Sequence, residues 1–79
     1  MQHTIRILNR NGDTAVKWDT ESAEETANAA DEFLRLQQRG CTMFAVGTVD
    51  GVKVNRRLDE FEPNLAEDQV IAIYQISGG

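Results

Sequence analysis

The sequence predicts a single α+β domain: a mixed sheet of about five strands with one helix packed across one face. Three observations predict it. Two tight-turn signals, Asn11-Gly12 and Asp50-Gly51, each separate stretches rich in apolar residues, and both dipeptides tolerate the positive φ angles of two-residue hairpins. Between the hairpins lies one stretch of helical period with a capping signal at its start. The chain then closes on Val70 to Ile76, which is apolar on both faces, as an interior strand is. One amphipathic helix cannot cover both faces of a sheet, so it is expected across one of them, with the last strand inserted beside the first.

Each element has its own warrant. His3 to Asn9 alternates Ile5 and Ile7 with Thr4 and Arg6 and reads as a strand; the turn Arg10-Asn11-Gly12-Asp13 follows. Thr14 to Trp18 returns with Val16 and Trp18 on one face and Ala15 and Lys17 on the other. Ser22 with Glu25 three residues on fits a capping box, in which the hydroxyl takes an orphan amide and the glutamate reaches back, with Thr20 and Asp19 as alternative caps. Glu21, Glu24 and Glu25 crowd the first turn, where the helix dipole favours negative charge. The helix is expected over residues 22–39, with Ala23, Ala27, Ala30 and Leu34 as its apolar stripe and Thr26 and Phe33 beside them. Glu24, Asp31, Glu32 and Arg35 are expected on the opposite face, and Gly40 as the C-terminal cap. Cys41 to Val49 is the third strand, with Phe44 and Val46 on one face. Val52 to Val54 begins a short fourth strand. Residues 56–68 read as a compact polar loop pinned by Phe61 and Leu65, with Pro63 excluding a long helix. In the last strand Val70, Ala72, Tyr74 and Ile76 share one face and Ile71 and Ile73 the other. One set packs under the helix, and parity alone does not say which.

Size and composition narrow the function. A chain of 79 residues makes one small core with little room for a deep catalytic pocket. A net charge of −5 argues against nucleic acid and anionic membranes as partners. No apolar run approaches a membrane span, and residues 1–9 lack the apolar core of a signal peptide. The single cysteine, Cys41, cannot pair within the chain, so a reducing cytoplasmic setting is expected.

The stretch that carries chemistry is Ile76-Ser77-Gly78-Gly79. A diglycine just past a strand can present its own carboxylate as a reactive group. The bland alternative is a short run of small mobile residues. A carboxylate is a poor electrophile and is ionised at neutral pH. Conversion to an acyl-adenylate gives it AMP as a leaving group. Glycine has no Cβ, so such a tail passes through a narrow channel to a buried ATP site. Residues 75–79 reach roughly 15 Å when extended, which separates the body from the reaction.

With this tail and element order, the chain resembles the ubiquitin-like β-grasp proteins over its whole length. The most specific match is Asp68-Gln69-Val70-Ile71-Ala72-Ile73 followed by Ser77-Gly78-Gly79. The acidic step into the last strand is similar to the small subunit of molybdopterin synthase and to the thiamine sulfur carrier. Tyr74 and Gln75, however, stand where the molybdopterin carriers usually have prolines. Trp18 and the end of the helix fit better with bacterial and phage-borne ubiquitin-like proteins that accompany their own activating enzymes.

The resemblance implies a β-grasp domain over residues 1–76 and a flexible tail over 77–79. It implies a modifier that is not itself an enzyme and holds no cofactor, ATP being used by a separate adenylating enzyme. Gly79 would carry the reactive carboxylate, with Ile76, Ser77 and Gly78 recognised along the tail and Ile71 and Ile73 as a candidate partner patch. The implied partners are that activating enzyme, a conjugating enzyme, an isopeptidase and a target protein. Two alternatives stand beside this: a sulfur carrier bearing a terminal thiocarboxylate, and an interaction module whose glycines are incidental.

Other residues read more plainly. Cys41 is expected to be structural, since a reactive thiol needs a cationic surrounding that Arg39 alone does not assure. One histidine, His3, and one cysteine make neither a usual metal site nor a catalytic triad. Lys17 and Lys53 are expected as solvated surface groups that would also accept a second modifier. The acidic helix face and Asp59, Glu60 and Glu62 are expected to face solvent.

Overall fold

The computed structural model describes residues 1–9 and 12–74 of the chain. Its elements, in order, are β1 (Gln2–Asn9), β2 (Gly12–Asp19), α1 (Ala23–Gln38), β3 (Cys41–Val49), β4 (Val52–Leu58) and β5 (Gln69–Tyr74). The strands form one sheet in the order β2-β1-β5-β3-β4. β1 and β2 pair antiparallel, as do β3 and β4 and β3 and β5, whereas β1 and β5 run parallel with Thr4 opposite Gln69 and Leu8 opposite Ile73. The last strand therefore lies beside the first at the centre of a mixed sheet, and α1 packs across one face, the α+β arrangement of a β-grasp. Among the described residues no helix is long and apolar enough to cross a membrane.

The turn chemistry sets the hairpins. Asp50 and Gly51 both have positive φ, 52° and 79°, and Val49 faces Val52 across them. In the first hairpin the register places Gly12 within β2, opposite Asn9, rather than at the turn centre. Arg10 and Asn11 lie outside the described residues.

The helix begins where the caps dictate. The Ser22 hydroxyl accepts the Glu25 amide at 3.2 Å. The Glu25 carboxylate does not close the box on Ser22; it reaches further, to the Asp19 N–H at 3.0 Å, because the Ser22 N–H already donates to the Asp19 carbonyl at 2.9 Å. Gly40 follows the C-terminal turn with φ +92°, the left-handed angle its position requires.

The buried face of α1 differs from the sequence expectation. Ala29, Phe33 and Leu36 are buried, whereas Ala23 and Ala27 are exposed and Leu34 is 54 % exposed. The two stripes stand about a third of a turn apart on the helix. Ala23, Ala27 and Ala30 do share one side with Leu34, but side chains that small bury little apolar surface. Phe33 and Leu36 decide, because their bulk fills the space over Trp18 and the sheet. The core they close includes Ile5, Trp18, Met43, Ala45, Val70 and Ala72.

β4 is longer than expected and takes in Arg56, Arg57 and Leu58. Arg56 lies on the same side as buried Leu58, where its guanidinium ties down the following loop. It donates to both Glu62 oxygens, at 2.9 and 2.7 Å, and to Glu67 at 2.6 Å through Nε. Glu62 is thus half-buried and engaged rather than free in solvent, and Glu67 is buried. Leu65 is buried beneath the loop, and the Phe61 ring sits 5.1 Å from Trp18 and 5.7 Å from Phe33.

This clamp has a pH signature. Hydrogen bonds from Arg56 hold both carboxyls below the usual glutamate range. Depressed folded values mean that the stabilisation is present above the unfolded glutamate value of about 4.3 and is lost as pH falls through the folded values. The urea midpoint of Arg56→Met is expected to lie below that of the wild type at pH 7, with the gap narrowing as pH drops below about 4. Urea titrations at both pH values check this; an unchanged gap would assign the effect to lost packing instead.

Candidate functional site

Two features define the site: the strand that leads to the diglycine and the face of the sheet beside it. β5 is held on both edges, by β1 in parallel and β3 in antiparallel register, so its direction is fixed from Gln69 to Tyr74. The expectation for this strand ran to Ile76; it is described to Tyr74. Ile76, Ser77, Gly78 and Gly79, which carry the expected acyl chemistry, lie outside the described residues.

The structure decides the parity of β5. Val70 and Ala72 are fully buried under the helix, whereas Ile71 is half-buried and Ile73 is 41 % exposed on the opposite face. Register brings neighbours to them. Ile71 stands between Arg6 and Phe44, and Ile73 between Leu8 and Thr42. Leu8 is exposed and Phe44 half-buried, so the four apolar side chains make one surface.

Sequence reasoning missed Leu8 and Phe44 as members of this patch. Alternation showed their strand faces, but only the pairing of β5 with both neighbours makes the three strands contribute to one place. Arg6 lies beside Ile71, and Arg57 faces Phe44 from β4. Lys17 and Lys53 project from the same face by strand parity, opposite Thr4 and Thr48. The sheet face thus combines an apolar centre with cationic side chains on a chain of net charge −5. Nine of its thirteen acidic residues lie on the helix or in the loop between β4 and β5, while Asp13 stands opposite Leu8 in the register.

The remaining residues serve the fold. Cys41 is buried, and burial pushes its thiol above the ordinary cysteine range, with weaker opposing effects from the Tyr74 hydroxyl and Arg39. That environment favours the thiol over the nucleophilic thiolate. His3 is buried against Trp18, ring centroids 5.1 Å apart, and neither ring nitrogen has a hydrogen-bond partner. Among the described residues no group of three histidine, cysteine or acidic side chains gathers as metal ligands. Comparison with protein-family models, curated proteins and solved structures finds no match to this chain.

Proposed function

We propose that this protein is a ubiquitin-like modifier, activated at the Gly79 carboxylate by a separate adenylating enzyme. The observation that carries the reading is the union of a β-grasp body with Ser77-Gly78-Gly79, set just past the strand that the sheet holds at its centre. A fold alone does not specify an activity; here the fold is joined to a sequence whose chemistry needs such a body. Gly79 is presented either as the last residue or after cleavage of a longer precursor.

The reaction asks little of this chain beyond delivery. The Gly79 carboxylate attacks the α-phosphate of ATP, pyrophosphate leaves, and an acyl-adenylate forms. A partner thiolate then displaces AMP and takes the acyl group as a thioester. A target amine finally displaces the thiolate and leaves an amide. The partner enzyme supplies the catalysis, and Ile76, Ser77 and Gly78 fit the tail into its channel. The patch of Leu8, Phe44, Ile71 and Ile73 is the surface on which that enzyme docks, since an exposed apolar cluster of this kind marks an interaction site.

Intact mass spectrometry tests the reading. Incubation with ATP and an adenylating enzyme encoded beside the gene is expected to give a thiol-labile covalent adduct. Removing Gly78 and Gly79 is expected to abolish the adduct while the melting temperature stays within about 2 °C, because chain ends contribute little to stability. With sulfide added to the assay, replacement of one carboxylate oxygen by sulfur, with AMP released, would instead identify a sulfur carrier. No ATP-dependent change with an enzyme that activates another diglycine protein in the same assay would leave only the interaction module.

A further inference from the structure

We propose that the free edge of β4 is a strand-addition site for an extended acidic segment of a partner protein. The proposal concerns a surface separate from the tail and does not depend on the modifier reading. β4 is the last strand of the sheet and has a neighbour on one side only.

The hairpin fixes which backbone groups are on offer. Asp50 and Gly51 form a two-residue turn with both φ values positive, so the flanking pair Val49 and Val52 exchange both of their hydrogen bonds. Counting on in steps of two, Val52, Val54, Arg56 and Leu58 turn their backbone groups toward β3. Lys53, Asn55 and Arg57 turn theirs outward. Nothing among the described residues is hydrogen-bonded to these outward groups.

The opposite edge of the sheet is different. There the Asp19 N–H donates to the Glu25 carboxylate at 3.0 Å, and the Asp19 carbonyl accepts from the Thr26 hydroxyl at 3.2 Å. The start of the helix thus covers the Asp19 end of β2. Thr14, Ala15 and Lys17 are as exposed as most of β4, so it is the two cations four apart, Lys53 and Arg57, that set the β4 edge apart.

The side chains say what fits. Lys53, Asn55 and Arg57 share the outer face, so an added strand sets alternate residues beside them, and the two cations favour acidic residues four apart. On the inner face the strand meets Val52, 62 % exposed, and Val54, which favour apolar residues. Arg56 on that face is already engaged by Glu62 and Glu67, and Arg57 on the outer face has the exposed Asp59 carboxylate at 3.6 Å, a partner that an incoming glutamate would replace. A shallow depression bounded by Val46, Gly47, Thr48, Lys53, Val54 and Asn55 adjoins the edge and receives a side chain of the incoming strand. In strand addition, main-chain bonds supply affinity and such pockets supply specificity.

A second copy of the chain is a poor occupant. Twofold antiparallel pairing about Asn55 would set Lys53 against Arg57 twice. Cationic edges deter pairing with their own kind, and the same charges admit an acidic strand.

The test uses the full-length, nitrogen-15-labelled protein and a short synthetic peptide alternating glutamate with valine. The expected result is amide shifts centred on Lys53, Asn55 and Arg57. Affinity is expected to fall at least about tenfold for Lys53→Glu/Arg57→Glu and for a peptide with lysine in place of glutamate. Asn55→Pro removes an outward N–H without touching the β3 ladder, so it is expected to keep the fold and lose the peptide. Shifts confined to Phe44, Ile71 and Ile73, equal binding of the lysine peptide, or no shift at millimolar peptide would overturn the proposal. So would concentration-dependent broadening of the β4 amides without peptide, which would mark a second copy as the occupant.

Discussion

Trp18→Ala is expected to cost about 3–5 kcal/mol, the range for removing a large buried aromatic side chain. A domain of this size is stable by about 4–12 kcal/mol in all, from roughly 0.05–0.15 kcal/mol per residue. The variant is therefore expected to melt more than 12 °C lower or to be partly unfolded at room temperature. The reason is position. Trp18 is fully buried, meets the His3 and Phe61 rings in tilted contacts, and donates its indole N–H to the Pro63 carbonyl at 3.2 Å. It thus joins the first hairpin to the loop that feeds β5. Trp18→Phe keeps the ring contacts and loses the hydrogen bond, so it is expected to fall between the wild type and the alanine variant. Thermal unfolding followed by circular dichroism ranks the three. Equal melting temperatures for wild type and Trp18→Ala would show that the indole does not hold the loop.

The second large effect is expected at Gly47. A Cβ on this residue would stand 2.4 Å from the backbone nitrogen of Asp68, nearer than atoms approach without something shifting. The obstacle is main chain, so no rotamer relieves it. Overpacking of this kind costs about 1–3 kcal/mol, and here the strain falls on the residue before β5. Gly47→Ala is expected to lower the melting temperature by roughly 4–24 °C, at 4–8 °C per kcal/mol. Gly51→Ala makes a contrast. No atom lies within 4 Å of its added Cβ, and the cost comes from its φ of +79° alone. If Asp68→Ala restored the stability of Gly47→Ala, the carboxylate at 2.9 Å rather than the backbone would be the obstacle.

What could be read from the residues, and what could not, follows one physical line. Local signals were legible. Asp50-Gly51, Ser22 and Gly40 act within a few residues of themselves, and each stands where its chemistry placed it. Phe61 and Leu65 were legible as anchors, because isolated apolar residues in a polar stretch have few other uses. The buried side of α1 was not. Ala23, Ala27, Ala30 and Leu34 make a regular stripe, but only the volume demanded by the sheet shows that the side of Ala29, Phe33 and Leu36 is the buried one. The second half of β4 was hidden because Arg56 sits on the inner face, where alternation calls for an apolar residue. Glu62 and Glu67 make its presence there tolerable, and separations of six and eleven residues, mostly through irregular loop, give no period from which that pairing could be read. In the candidate site, Ile71 and Ile73 could be named from the strand, but Leu8 and Phe44 join them only through register, which no single stretch encodes.

The parallel pairing of β1 with β5 also bears on how this molecule responds to force. A pull applied at the front of β1 and the far end of β5 draws the two strands past one another lengthwise. The rungs from Thr4–Gln69 to Leu8–Ile73 are then loaded together rather than opened one at a time. A motor hauling on the chain from both ends meets a shear joint at the centre of the sheet, whereas one pulling across either hairpin meets a zipper. The direction of traction, as much as its strength, then decides how readily the body gives way.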